Sequence, residues 1–511
     1  MNGITQETLA LMKTSRANGV ELSPNDALAK IGGWSVGVGL VNYDLEPVAQ
    51  LLFPNPTPLR NLIPRIKSAA GDTSHRWKAI MSLPVAGLYP SVAEGQRGAI
   101  ITPVVSSYSA HYITLGIESQ LSYEAELAAQ GFDNAQDKQS ILLLQSLMNI
   151  EEKTLLGNNY SQKLGKCGAV TGTVGTSGGS IASAAYTCYC VPLTMQGYDK
   201  ATSVTPNVVV QQFTRTSGGP YSNTEYINGG TGIPSDQMAG TSGMTSSANK
   251  LTLSCVPVAG AVAYAWYVGT TGAERLESIT TVSKVVLTSI AGTGQLFSAL
   301  TQPTLDYSIN DASQNSCTVD AYDGLIAFAC KTGTNAYKSG LTAGATLTSD
   351  GEGGIAEITT AFKSQYDNYR LGSTHIWMAS DVAILYRNLC VANGASTFYP
   401  MARYMTEPGK PIEVVAGAQI PPLWNPFMGE LVPVSVHPYL PPGTILGTIH
   451  RTPQTYPLAE LANPVAIRTR RDYWQINWPP TRRAYELGIY CDQTLEHRLP
   501  MGLLWIYNIT T

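Results

Sequence analysis

The sequence predicts an α+β protein in which an all-β domain is inserted into a mixed framework. Three observations predict this class. One uninterrupted helical pattern runs from Asp133 to Gly157, a charge-poor stretch of short strand candidates begins near Lys166, and helical patterns return after Ala321. Because a single long helix stands in a chain otherwise rich in strand and loop signals, we expect an α+β protein in which sheets are built on that helix.

The long helix is the clearest single element. Asp133 is a suitable N-cap with Gln136 in capping-box position, and Gly157 suits a left-handed helix end. No proline or glycine interrupts the run, so we expect one helix of roughly 35 Å at about 1.5 Å per residue. Its apolar stripe comprises Ile141, Leu143, Leu144, Leu147, Met148, Ile150 and Leu155.

The composition limits the classes of protein to which the chain can belong. The chain has 511 residues, of which 44% are hydrophobic and only 13% are charged, and its net charge is −4. A charge-poor surface indicates cover by neighbouring subunits, or else an extracellular β-rich protein. The near-neutral charge provides no basic field for condensing nucleic acid.

No membrane or secretory segment is expected. The N-terminus lacks a basic region followed by an apolar one, which argues against a signal peptide. Prolines interrupt the apolar segment Leu431–Ile449, so it cannot cross a bilayer as a helix. The eight scattered cysteines are then expected to be reduced thiols.

The region before the long helix predicts an arm and a hairpin. Short helices are expected near residues 5–16 and from Ser23, and the repeated prolines of residues 45–68 favour an extended segment without regular structure. Strand patterns over His75–Leu83 and Ile100–Leu115 flank a glycine- and proline-rich tip, Pro84–Ala99, which predicts a long β-hairpin. Such a hairpin lacks its own core and needs a partner surface. A short helix is expected near Ser122–Gln130.

Residues 166–303 predict a small β-sandwich. Strand candidates occur at residues 184–194, 207–215, 250–258 and 261–269, and Cys188 and Cys190 should point to one face of their strand. Beyond the insert, helices are expected over 355–369 and 381–390 with a strand at 374–378 between them. A final pair of strands is expected near 482–490 and 502–509.

No catalytic, cofactor-binding or metal-binding motif is found, and the protein is not expected to be an enzyme. The six histidines never fall in ligand-spaced pairs, and Cys188-Tyr189-Cys190 has no second half. Spacing along the sequence leaves open a metal-binding cluster assembled from distant positions.

Charged residues that are candidates for a subunit interface occur in two places. Arginines interleaved with aromatic residues could bind nucleic acid, but pairing with acids such as Asp472 and Glu486, or with another subunit, is favoured. Glu151 and Glu152 lie near the C-terminal end of the long helix, where the helix dipole disfavours negative charge. We therefore expect an arginine partner from that cluster, or Arg60 or Arg65 of a neighbouring subunit's arm. The cluster comprises Arg468, Arg470, Arg471, Arg482 and Arg483.

Four stretches carry a resemblance to a known family. They are LEPVAQLLFPNPTPLRNLIPRI, EEKTLLGN, VPVSVHPYLPPGT, and RTRRDYWQINWPPTRRAYELGIY together with LLWIYNI. Their order resembles the major capsid proteins of tailed phages, whose coat fold is shared with herpesvirus capsid floors and encapsulins.

The resemblance implies the phage major capsid fold and a division of the chain. An N-terminal arm (1–65) would precede an extended loop formed by the hairpin (66–117) and a peripheral domain with the spine helix (118–165). An axial domain (304–470) would follow the insert, and C-terminal strands (471–511) would return to the peripheral domain. The insert (166–303) resembles an immunoglobulin- or fibronectin-like domain, although Cys255 stands where such modules often carry tryptophan.

The function implied is a structural subunit that assembles into pentamers and hexamers of an icosahedral shell in the host cytoplasm. The shell would enclose double-stranded DNA without sequence specificity, and its partners would include portal, scaffolding and decoration proteins. The alternatives are an encapsulin-type nanocompartment and a surface adhesin or glycan-binding protein built on the β-sandwich.

Some shells of this family are strengthened by an isopeptide bond from a hairpin lysine. The tip Pro84–Ala99 contains no lysine, and Lys78 lies well down the first strand. We therefore expect non-covalent locking, with Tyr89, Glu94 and Arg97 contacting a neighbouring subunit.

Overall fold

The structure is a computed structural model of the chain. It describes residues 56–68, 72–82, 91–98, 100, 104–130, 134–204, 207–216, 223–238, 248–351, 354–390, 420, 422–452, 461, 463–480 and 482–511. The helices and arm expected before residue 56, and the N-cap expected at Asp133, lie outside these residues. Two units are distinguished, one of residues 1–53 and 126–135 and one of residues 54–125 and 136–511. In the first unit the described residues are 126–130 and 134–135, which are helical apart from Gln130 and Asn134.

The described residues form helices together with sheets whose strands pair mostly antiparallel, which confirms the predicted α+β class. The α-helices are α1 (Pro58–Leu62), α2 (Tyr123–Ala129), α3 (Ala135–Gly157), α4 (Met195–Asp199), α5 (Leu325–Cys330), α6 (Ala356–Tyr369) and α7 (Ser380–Cys390). The strands up to the end of the insert are β1 (Arg65–Lys67), β2 (Ser74–Ser82), β3 (Val104–His111), β4 (Ile113–Ser122), β5 (Thr171–Gly175), β6 (Thr187–Leu193), β7 (Gln212–Thr216), β8 (Thr224–Asn228), β9 (Lys250–Ser254), β10 (Ala263–Gly269), β11 (Arg275–Thr280) and β12 (Lys284–Leu287). The later strands are β13 (Tyr337–Gly340), β14 (His375–Met378), β15 (Leu423–Asn425), β16 (Glu430–Val432), β17 (Val434–Val436), β18 (Ile445–Thr448), β19 (Val465–Trp478), β20 (Ala484–His497) and β21 (Leu504–Tyr507).

The long helix α3 packs on a four-stranded sheet. The sheet has the order β1-β19-β20-β4, and Leu143 and Leu147 of α3 share a small core with Leu487 and Ile489 of β20. Toward its C-terminal end, Leu155 and Leu156 enter the main core of the chain. The helix therefore joins the sheet to the central core. Ile141, Leu142 and Ile150 are exposed, so the predicted apolar stripe is wrong in including Ile141 and Ile150.

Gly157 ends the helix for a reason different from the one expected. It is the last helical residue and does not have the positive φ of a left-handed cap. A Cβ at this position would lie 2.2 Å from Sδ of Met195. The expected left-handed ending at Gly157 is therefore wrong, because glycine is required here for the close approach of α4.

The predicted hairpin is present, but its second strand is shorter than expected. Strands β2 and β3 form a separate two-stranded antiparallel sheet. The predicted strand Ile100–Leu115 is divided at Tyr112, after which β4 pairs with β20 in the four-stranded sheet. The strand is divided because its two halves pair with different partners, β2 and β20. The residue pattern of a continuous strand does not reveal such a change of partner.

The proline-rich segment is partly regular, contrary to expectation. Pro58 occupies the first turn of α1, where its missing N–H would have had no intrahelical acceptor. Arg65–Lys67 then forms β1, which pairs in parallel with β19. The expectation of an extended segment without regular structure is therefore wrong for residues 58–67.

The insert contains two three-stranded antiparallel sheets, β11-β10-β6 and β12-β9-β5. Side chains of both sheets share one buried cluster that includes Trp266 and Leu253. Cys188 and Cys190 both lie in this cluster, as their alternation predicted, and the flanking Tyr189 packs in a different one. The geometry is that of two packed sheets, while the type of module stays a prediction.

The rest of the chain is built on a five-stranded sheet of order β13-β21-β18-β14-β17. Helices α6 and α7 occur close to their predicted positions, and α6 ends at Tyr369 as predicted, followed by Arg370 with a φ of 56°. The two C-terminal strands do not pair with each other, because β20 joins the four-stranded sheet and β21 joins the five-stranded one. Among the residues described, no helix is both long and apolar enough to cross a bilayer.

Candidate functional site

The candidate site lies at the C-terminal end of α3, where Glu151 and Glu152 bring three distant segments together. Both residues are fully buried. We call this set the carboxylate junction, and it comprises Glu151, Glu152, Arg60, Arg65, His437 and Tyr473. Burial of two adjacent acids is tolerated only where each is paired and hydrogen-bonded, and the junction supplies both kinds of contact.

Glu151 is held by two arginines and a tyrosine. Nε of Arg60 lies 3.0 Å from its Oε2, Nη1 of Arg65 binds Oε1, and the hydroxyl of Tyr473 donates to Oε2. Both guanidinium groups also lie over the Tyr473 ring, with Arg65 at 4.8 Å from the centroid. Burial opposes the charge of Arg65, but Glu151 together with Tyr473, Cys491 and Asp472 outweighs it, so the pKa of Arg65 is raised.

Glu152 acts as a cap for a helix remote in sequence. Its Oε1 accepts the backbone N–H of Leu59 at 2.8 Å and its Oε2 accepts that of Arg60 at 2.8 Å. Thr57 at the N-cap of α1 makes no side-chain cap, so this carboxylate satisfies donors that would otherwise be unpaired. Nε2–H of His437 donates to Oε1 at 2.7 Å, while Nδ1 of His437 accepts the N–H of Tyr439.

The arginine partners of Glu151 come from the same chain. The sequence suggested the cluster from Arg468 to Arg483 or a neighbouring subunit's Arg60 or Arg65, and the structure brings in Arg60 and Arg65 in cis. The reason is topological, because β1 pairs with β19 and so carries Arg65 to the end of α3. From the arginine-rich segment the contact is made by Tyr473. Tyr473 and His437 carried no signal in the sequence that would have assigned them here.

The arginine cluster pairs mainly with acids of its own chain. Arg468 binds the buried Glu496 at 2.5 Å, Arg470 binds Asp492 at 2.9 Å, Arg482 binds Glu486 at 2.6 Å and Arg483 binds Glu124 at 2.6 Å. Arg471 lies over the Trp474 ring at 4.6 Å. Acid pairing was the interpretation favoured over nucleic-acid binding, and a further role in contacts between subunits stays a prediction.

The hairpin presents apolar side chains to solvent. Ile80 of β2 is 63% exposed, and Val104 and Val105 of β3 are 51% and 56% exposed. Glu94 and Arg97 lie exposed in and beside a turn closed by a hydrogen bond from the N–H of Gln96 to the carbonyl of Ala93. Tyr89 lies outside the described residues. An isolated two-stranded sheet is at best marginally stable in water, so this apolar surface requires cover.

Three cysteines from distant positions meet in the insert. Sγ atoms of Cys167, Cys190 and Cys255 all lie within 4.8 Å of one another, and all three residues are buried. No metal-binding motif is apparent in the sequence, because the three positions are separated by 23 and 65 residues and only one of them belongs to the CxC pair.

No protein-family model matches the chain, and no curated protein matches its sequence. A search of solved structures finds similarity to phage capsids. The capsid of Myoviridae phage XM1 matches at 9% identity and a TM-score of 0.39, covering 96% of this chain and all of that one. The capsid of a native GTA particle matches at 9% identity and a TM-score of 0.41 over 96% of this chain and all of that one.

A satellite phage P4 procapsid that includes the size determination (Sid) protein matches at 8% identity and a TM-score of 0.33, over the whole of this chain and 98% of that one.

Proposed function

We propose that the protein is a structural major capsid protein that assembles into the icosahedral shell of a tailed phage around double-stranded DNA. The observation that carries the proposal is the separate hairpin β2–β3, whose apolar side chains are exposed. A hairpin of this kind is stable only when another surface covers it, and in a shell the neighbouring subunit provides that surface.

Two further surfaces support repeated contacts between copies. Ile141, Leu142 and Ile150 on α3 are 57%, 39% and 39% exposed. Trp424 and Leu431 on the β15–β16 hairpin are 55% and 47% exposed. Three separate apolar surfaces suit a subunit with several neighbours, as in pentamers and hexamers, better than a monomer.

The proposed partners follow from the same role. Most of the basic cluster is neutralised by acids of the chain, which suits a shell that encloses DNA without condensing it. Scaffolding, portal and decoration proteins are proposed as partners, with the virion capsid as the location and the host cytoplasm as the site of assembly. The proposed role is not enzymatic.

We propose that the insert braces the subunit, in preference to a role in glycan binding or in decoration of the shell. Met195 and Val262 of the insert belong to the main core together with Leu155 of α3. Ser283 of the insert exchanges hydrogen bonds with the buried Asn508 near the C-terminus. A domain that only decorates the surface would not need to share the central core.

Electron microscopy of a charged hairpin variant tests the proposed function. In Ile80→Glu a carboxylate replaces an exposed apolar side chain, so we expect subunits or capsomers in place of shells, because the covered contact would bury an unpaired charge. The free energy of unfolding of the unassembled chain should change by only about 0.5 kcal/mol, as for an ordinary surface substitution.

Val256→Glu is the matched control, because Val256 is 69% exposed but lies in the insert. It should still form shells. The nanocompartment alternative predicts shells filled with an enzyme cargo, and the adhesin alternative predicts a wild-type protein that never forms shells or capsomers.

We also expect the shell to be locked without covalent bonds between subunits. The described part of the tip contributes Glu94 and Arg97 as charged groups, and the complete tip has no lysine. Boiled shells on a denaturing gel should therefore release a single band at the chain mass of 54.6 kDa. A ladder of covalent multimers would contradict this prediction.

A further inference from the structure

Cys167, Cys190 and Cys255 form a compact group of thiols in the core of the insert. Cys190 lies on β6, Cys255 directly follows β9, and Cys167 precedes β5. The two sheets and the segment leading into them therefore each contribute one sulfur. Cys167 is 3% exposed, Cys190 0% and Cys255 6%.

The spacing of the sulfurs suits a shared ion. At a metal–sulfur distance of about 2.3 Å and a tetrahedral angle, two ligating sulfurs lie about 3.8 Å apart. Sγ of Cys190 and Sγ of Cys255 are 3.7 Å apart. The third sulfur, that of Cys167, lies within 4.8 Å of both.

The backbone holds each cysteine in place. The N–H of Cys167 donates to the carbonyl of Ile233 at 2.9 Å, that of Cys190 to Oγ of Ser235 at 3.0 Å, and that of Cys255 to the carbonyl of Ser283 at 3.0 Å. Ligands fixed in this way lose little conformational freedom when they bind an ion.

The thiolate is the form of cysteine that binds metals. The protons of the three thiols would therefore leave on binding, as is usual for cysteine sites.

We propose that Cys167, Cys190 and Cys255 bind one thiophilic metal ion, Zn²⁺ or Cu⁺, that ties the two sheets of the insert together. Thiolate ligands select these ions over hard cations such as Mg²⁺ and Ca²⁺. A disulfide between Cys190 and Cys255 is the competing arrangement. It would use two of the sulfurs, leave Cys167 without a partner, and require the sulfurs to approach to about 2.05 Å.

The test measures metal bound to the full-length protein purified under anaerobic, reducing conditions. The protein is exposed to Zn²⁺ in one sample and Cu⁺ in another, freed of unbound ions, and analysed by inductively coupled plasma mass spectrometry. We expect one ion per chain, protection of three thiols from a thiol reagent, and a higher unfolding temperature that a chelator reverses. The sample that retains the ion identifies the metal.

Variants separate this site from general thiol binding. Cys167→Ala should abolish stoichiometric binding, whereas Cys188→Ala should retain it, because Cys188 is buried in the same core and two residues from Cys190 but outside the group. The wild-type measurement decides the proposal even if Cys167→Ala fails to fold. Absence of bound metal in both samples, equal loss in both variants, or a Cys190–Cys255 disulfide in the protein as isolated from cells would overturn it.

Discussion

Glu151→Gln is expected to lower the free energy of unfolding by about 3–5 kcal/mol, the range seen when one partner of a buried ion pair is removed. The side chain of Glu151 is 1% exposed, and those of Arg60 and Arg65 are 15% and 17% exposed. Glutamine keeps the shape of the side chain but removes its charge. Two largely buried guanidinium groups would then lose the buried carboxylate with which both form ion pairs.

Denaturant unfolding of the unassembled chain measures this effect, and thermal melting of assembled shells measures its consequence for the particle. Asp472→Asn is the matched control, because Asp472 also binds Arg65, at 2.7 Å, but its side chain is 58% exposed. Removing this exposed partner should cost less than about 1 kcal/mol. Equal losses of unfolding free energy in Glu151→Gln and Asp472→Asn would show that burial does not strengthen the ion pairs of Glu151.

The triple variant Glu151→Leu, Arg60→Met, Arg65→Met separates the cost of leaving a buried charge without a partner from the stabilisation that the ion pairs themselves provide. Apolar residues of similar size often restore the stability of a buried ion pair, because no charge is then left without a partner. We expect the triple variant to unfold at a higher denaturant concentration than Glu151→Gln. If it is less stable than the single variant, the ion pairs themselves provide net stabilisation at this position.

Replacing residues 166–303 with a short glycine–serine linker is expected to abolish soluble protein, which is a larger effect than any single substitution. Met195 and Val262 are 7% and 1% exposed and pack in the main core with Leu155 and Leu156. Their removal would expose those core residues to water, and truncating each large buried side chain costs about 2–5 kcal/mol. The replacement removes two such side chains together with the hydrogen bonds between Ser283 and Asn508.

Yield of soluble chain, and gel filtration of what remains soluble, measure this outcome. A control replaces only residues 217–222, between β7 and β8, with glycine and serine, and leaves Met195, Val262 and Ser283 in place. The control should remain soluble. Normal shells from the chain that lacks the insert would contradict the bracing role and would indicate that the insert is a dispensable outward domain.

The sequence by itself predicted the elements whose signal is local. The long uninterrupted helix α3, the alternation that directs Cys188 and Cys190 to one face, and the strand patterns of the insert all appear in the structure. These signals are readable because helix and strand periodicity are properties of a short run of residues. The arginine partner expected for Glu151 also followed from a local argument, the unfavourable position of an acid near a helix C-terminus.

Only the tertiary structure decided which distant segments meet. Arg65 reaches Glu151 because β1 pairs with β19, Glu152 caps a helix more than ninety residues away, and Gly157 is glycine because Met195 packs against it. Three cysteines converge because two sheets close on one core. Each of these contacts joins positions far apart in the chain, and pairing across such separations depends on sheet order and packing, which no local pattern of residues encodes.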